Sequence, residues 1–204
     1  TGADTVRGGD DNDTIIAPSG DATGDALYGD AGADSIVAGI GADTIDGGDG
    51  DDSINAGSGA NSVSGGVGHD SIFTGNNAST IDGGEGADTI AATFGDDLIL
   101  GGNGDDRFNV NFGGADTVFG GADNDTIIAG GDTIGDVLNG DAGADSIMAL
   151  IGVATIDGGE GADTISGAGG NDLILGGSGA DSLNAGGGAD TVFGGDDNDT
   201  IIAT

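Results

Sequence analysis

The chain has no cysteine, no tryptophan, one proline, two basic residues and 3% aromatic residues in 204 positions. Without cysteine there are no disulfides and no thiolate metal sites, which is compatible with an extracellular location but does not establish one. Two Lys+Arg against 37 Asp+Glu give a formal net charge of −35. Such a chain repels nucleic-acid phosphates and anionic membranes, attracts hard cations, and resists compaction without counter-ions. No apolar run reaches transmembrane length, and no signal-peptide pattern is present. With 49 glycines and so few aromatics a thick core is excluded, and composition alone points to a flexible tract.

The order of the residues argues otherwise. An anchor, usually Asp, is followed two residues later by a large apolar residue, as in Asp43–Ile45, Asp52–Ile54 and Asp70–Ile72. There are 22 such units; 18 of the 21 intervals are nine residues, and the others are 12, 10 and 11. A fixed period of this kind marks a solenoid, whose units bury their apolar side chains only by stacking. Each unit reads as a Gly/Asp turn followed by a three-residue strand: in GGDGDDSIN, Ile54 points inward while Ser53 and Asn55 point outward. Ser or Thr follows the anchor in 17 of 22 units, as suits an exposed strand position.

The turns sort by parity. Every even turn begins with Gly and ends with Asp, whereas odd turns are eroded (AGSGAN, TGNNAS, ALIGVA) and contain all three irregular intervals and Pro18. Two units then make one coil of about 18 residues, with even turns stacked along one edge and odd turns along the other. The fold expected is all-β: a right-handed parallel β-roll, or β-solenoid, of about 11 coils, spanning roughly 50 Å at strand spacing. Residues 1–204 read as a single domain of this type. ADTVRGGDDNDTIIA at 3–17 returns with small changes at 115–129 and 189–203, so the chain reads as an excerpt of a longer array.

Six even turns match GGxGxD in full, for example GGEGAD at 83–88 and 158–163. The nine-residue pattern G-G-x-G-x-D-x-U-x, with U apolar, is a known calcium-binding β-helix repeat. The sequence closely resembles the RTX (haemolysin-type calcium-binding) repeat family along essentially its whole length. A calcium ion takes six to eight hard oxygen ligands and tolerates irregular geometry. A glycine turn exposes carbonyls and its last Asp adds a carboxylate, so one turn offers about half a shell. The resemblance implies ions between successive turns of the even edge. The carboxylates it assigns are Asp13, Asp34, Asp52, Asp70, Asp88, Asp106, Asp125, Asp145, Asp163, Asp181 and Asp199. Eleven turns leave ten gaps, and ten Ca²⁺ would cut the charge from −35 to −15. Asp replaces a turn glycine at Asp11, Asp123, Asp197, Asp30 and Asp141, which sets the local geometry of those five turns apart. On the odd edge, where Asn61, Ser79 and Ala154 have lost the carboxylate, local turn capping is the expected role.

Apolar outliers gather on the odd edge (Ile40, Phe94, Phe112, Ile134, Leu150, Ile151) and at outward strand positions (Tyr28, Leu100, Phe119, Phe73, Met148 among them). They are either scattered surface residues or a lateral contact face. His69 reads as a solvated turn residue. No nucleophile–base pair, His/Cys cluster or phosphate loop is present, so no enzyme is expected. RTX proteins are typically exported unfolded by type 1 secretion and fold on meeting external calcium, and the resemblance implies the same here. The function expected is a calcium-binding, secreted structural protein: an extracellular or cell-surface scaffold of surface-layer or filament type. Its partners would be calcium ions and other copies or neighbouring repeats, with no nucleic acid and no transmembrane segment. Two alternatives stay open: the C-terminal calcium module of a secreted enzyme or toxin, and an adhesin or ice-binding module using the Ser/Thr ladder. That ladder is broken at Ala26, Leu98, Arg107, Val137 and Leu173.

Overall fold

A nine-residue beat of one inward apolar side chain can close on itself only as a coil, and a computed structural model shows that coil. It describes residues 2–110 and 113–203. Among them are 22 strands, from β1 (Thr5–Asp10) and β2 (Thr14–Ile16) to β21 (Thr191–Asp196) and β22 (Thr200–Ala203). Odd-numbered strands form one eleven-stranded sheet and even-numbered strands another. Each strand pairs in parallel with the strand one coil away, and eleven coils result.

Register follows the period. Ile45 stands between Leu27 and Val63 in the odd sheet, and Ile54 between Ile36 and Ile72 in the even sheet. These inward columns meet in the middle of the coil, where nearly all of the second residues after the anchors are buried. Each such side chain contributes about 1.5–3 kcal/mol by leaving water. The columns thin out in the first and last coils, where Val6 is 38% and Ile201 48% exposed.

The two sheets differ in a way the period does not announce. Even strands are short, such as Ser53–Asn55, and match the three-residue expectation. Odd strands run six or seven residues and absorb the first half of the even turn, as Thr44–Asp49 does. The reason is local. Pairing passes from Asp46↔Ser64 to Gly48↔Gly66 and skips Gly47. Gly48 at φ 107° lets the strand bend and still pair. A Cβ there would collide with the Asp30 carbonyl of the preceding coil.

Exposed apolar residues do gather at odd turns: Phe94 is 55% exposed, Ile134 and Ile151 both 50%, and Ile40 49%. Leu150 is half-buried, and Phe112 lies outside the described residues.

Candidate metal centre

Each anchor sits at a corner where the chain leaves one sheet for the other, so its side chain points along the stack. At the even edge, Oδ1 of Asp52 accepts the backbone N–H of Asp34 at 2.7 Å, and Oδ1 of Asp70 accepts that of Asp52 at 2.8 Å. The same bond repeats from Asp13 through Asp199. The odd edge has it too: Asp25 accepts from Asp4, Asp97 from Ser79 and Asp172 from Ala154. The odd anchors therefore tie one coil to the next, and Asn61 and Ser79 also bond within their own turns, to the Ala56 and Asn77 carbonyls, as local capping predicts.

The edges differ in how regularly the second side-chain oxygen is left without a partner. Oδ2 of Asp13, Asp34, Asp52, Asp70, Asp88, Asp106, Asp125, Asp145, Asp163 and Asp181 is buried and has no hydrogen-bond partner. Asp199, in the last coil, is half-buried. Every even turn opens with a glycine, and a Cβ at Gly47 would collide with the Asp52 carboxylate and with the Gly65 carbonyl of the next coil. A carboxylate oxygen and a carbonyl oxygen thus converge on a space that only glycine leaves open, and the unit repeats along the edge.

Asn61 supplies an internal control. Its Oδ1 accepts the Asp43 N–H at 2.9 Å, keeping the ladder, while its Nδ2 donates to the Ala56 carbonyl at 3.0 Å. An amide closes the corner by itself. An aspartate in the same role has an oxygen where the donor stands, and a buried oxygen without a donor costs roughly 1–3 kcal/mol or more. A cation or a proton resolves that conflict. The donor set is carboxylate and carbonyl oxygen, without nitrogen or sulfur, which suits a hard cation such as Ca²⁺.

Electrostatics point the same way. Burial, and then the charges of neighbouring aspartates, push the carboxyls of Asp52, Asp70, Asp88, Asp106 and Asp145 up to about 6. Asp125 rises to about 7. The amide bond from the preceding coil opposes the rise without cancelling it. Stacked buried carboxylates in a metal-free coil hold protons poorly matched to neutral pH.

Three odd-edge aspartates share the orphaned oxygen: Asp43, Asp97 and Asp172. At Asp43 and Asp97 the turn opens with Ala38 and Ala92, whose methyl groups are buried. At Asp172 it opens with Gly167, and a Cβ there would approach the Asp172 carboxylate and the Ala185 carbonyl as at the even edge. Asp172 was not singled out from sequence; its signal is the glycine five residues earlier.

Two further features emerge only in three dimensions. Outer turn side chains form a second ladder: Asp51 accepts the His69 N–H, and His69 Nδ1 accepts the Ala87 N–H at 2.7 Å. His69 is an exposed turn residue, as expected, and is also a bonded member of the stack. The inserted turns bring an extra carboxylate to the odd edge. Asp21 accepts from Gly2 and Thr23, and Asp132 from Gly114 and Ile134. Asp4, Asp21 and Asp25 bring carboxylate oxygens within 4.8 Å of one another, and Thr23 holds the Asp21 carboxyl down at about 2. Asp11, Asp30, Asp123, Asp141 and Asp197 adopt φ between 70° and 77°. That is the left-handed region Asp enters more readily than most residues, so the five irregular turns keep their backbone path.

The sequence profile of a family described as RTX calcium-binding nonapeptide repeat matches residues 1–21, 19–54, 46–81, 82–113, 111–147, 135–153, 139–174, 149–183 and 166–201. The chain belongs to the RTX calcium-binding nonapeptide repeat family. RTX repeats bind calcium, and along the even edge of this RTX chain runs a row of aspartates with orphaned oxygens beside turn glycines. No curated protein sequence matches the chain. Among solved structures, one described as a hyperactive, Ca²⁺-dependent, β-helical antifreeze protein from an Antarctic bacterium is similar in fold. Its TM-score is 0.60 at 24% identity, over 94% of this RTX chain and 77% of the other. At that identity the likeness concerns the fold. No helix among the described residues is long and apolar enough to cross a membrane.

Proposed function

We propose that this RTX chain is a secreted, calcium-folded structural element, one continuous repeat array without enzymatic activity, that serves as an extracellular or cell-surface scaffold. The carrying observation is the even-edge row: ten consecutive aspartates with a buried, unpartnered oxygen, each beside a glycine cradle. Without cations those corners repel; with calcium held by the eleven even-edge aspartates and their turn carbonyls, binding free energy becomes folding free energy. Export unfolded and folding in external calcium suit such a device. The test of the scaffold role is electron microscopy of the chain in excess calcium and in chelator: ordered particles larger than one chain in calcium alone support it, and single particles under both conditions refute it.

A second reading, an ice-binding module, is favoured by one observation. Of the five breaks in the Ser/Thr ladder, four (Ala26, Leu98, Val137, Leu173) fall on the odd sheet, where they are paired in register with Thr. On the even sheet the rank from Thr14 to Thr200 is interrupted only by Arg107. Thermal hysteresis of the calcium-loaded chain would support this reading, and its absence at high concentration would exclude it.

A further inference from the structure

We propose that the outer face of the odd sheet is a self-complementary contact for a second copy of this chain, paired about a two-fold axis between β15 (Asp136–Ala142) and β17 (Ala154–Glu160). The inference rests on the scaffold reading and names its contact. Two apolar patches lie on this face. In the first, Leu98 and Leu100 of coil six pair with Thr117 and Phe119 of coil seven. In the second, Leu173 and Leu175 of coil ten pair with Thr191 and Phe193 of coil eleven. The two patches have the same side chains at the same places. Between them stand Val137 and Asn139 of coil eight, paired with Thr155 and Asp157 of coil nine.

A two-fold axis parallel to the strands, midway between coils eight and nine, lays one patch on the other patch of the partner. Phe119 then faces Leu175, Leu100 faces Phe193, and Asp157 faces Asn139, whose amide has a second N–H beyond the one given to the Val118 carbonyl. Charge favours this axis over the one on coil seven: each Asp157 faces an amide, and the two Asp157 carboxylates stand one rung, about 5 Å, apart along the stack. Centring the contact on coil seven would also bury leucines, but it would set Asp82 of coil five against Asp157 of coil nine, like charge on like. In the proposed register Asp82 and Asp46 fall beyond coil eleven and face no carboxylate of the described residues. The chain's net charge of −35 opposes any pairing of metal-free copies, so the contact belongs to the calcium-loaded state.

Area sets its strength. Six rungs at strand spacing by two outward positions give roughly 300 Å² per copy, well under the ~800 Å² per partner of a standard stable interface. A single contact is therefore weak, and strength comes from repetition along longer arrays.

The absence of native cysteine makes the test clean. Thr117→Cys and Leu173→Cys are made as separate single variants, mixed in equal amounts at about 0.5 mM in excess calcium, and treated with a short bis-maleimide. The proposal expects cross-linked pairs from the mixture and at least tenfold less from either variant alone. Like cysteines would be about 14 Å apart along the stack as well as across the ~10 Å gap between sheets. In the mixture, adding Phe119→Asp and Leu175→Asp should abolish the product, Asn139→Asp should lower it several-fold, and Asp82→Asn should leave it unchanged. Cross-linking of each single variant as efficient as in the mixture overturns the proposal, as does loss of product with Asp82→Asn. No product from the mixture also overturns it. In that case microscopy separates the causes: association in calcium leaves the scaffold reading standing with another face, and no association removes both.

Discussion

The corners at Asn61 and Asp52 differ by one atom in kind, and that difference separates the two edges. Both side chains accept an amide from the preceding coil. Asn61 then donates to a carbonyl and is complete, whereas Asp52 presents a buried oxygen with nothing to receive. The odd edge has Asn, Ser or Ala at three anchors and opens turns such as those at Ala38, Ala56 and Ala92 with methyl-bearing residues, where stacking is all the corner asks; Asp172, with Gly167, departs from that rule. The even edge has Gly first and Asp last in every turn, the pattern that the proposed cation row requires.

The largest break in this comparison comes from removing a carboxylate. Asp88→Ala should raise the midpoint of calcium-induced folding far more than Asp97→Ala. Both leave a coil-to-coil amide without its acceptor, about 1–3 kcal/mol, but Asp88→Ala also removes a proposed calcium ligand. Equal midpoints in a calcium titration would erase the distinction between the edges. Next in size, Gly83→Ala should cost about 1–3 kcal/mol by filling the space beside Asp88 and Gly101. Ala92→Gly on the odd edge should cost only about 0.5–1 kcal/mol. Urea unfolding in saturating calcium ranks the two.

Asp88→Asn sharpens the comparison, since it rebuilds the Asn61 corner on the even edge. It should strengthen the metal-free coil by about 1 kcal/mol while removing one calcium from the stoichiometry. Calorimetric titration that still counts the full number would contradict it. The remaining comparison is with pH, which acts on several corners at once. The carboxyls of Asp52, Asp70, Asp88, Asp106, Asp125 and Asp145 stand at about 6 to 7 in the coil against 3.8 in the open chain, so the folded state binds more protons between those values. Stability of the metal-free coil therefore falls as pH rises from about 4 to 7 and is flat above. Calcium should matter least near pH 4, where protons already neutralise the corners, and far-UV dichroism across that range in chelator checks the sign.

Much of this was legible in sequence. The nine-residue beat gives parallel strands, and parity of the turns gives two edges, because both follow from counting along the chain. The elongation of Thr44–Asp49 into the turn was not legible, since it depends on Gly48 pairing across coils. Nor was the ladder of anchor side chains, a contact between residues 18 to 21 positions apart. Asn61 looked like a lost ligand from its lost charge; its gain of a donor shows only where the Ala56 carbonyl lies. The segregation of the broken hydroxyl positions to one sheet likewise needs the strand pairing.

The account stands most directly on far-UV dichroism of the chain stripped of metal at pH 7.5 and then titrated with calcium. It predicts a spectrum without ordered sheet that converts to a β spectrum as calcium is added and reverts with chelator. A stripped chain that already shows full sheet, unchanged by calcium, would contradict it.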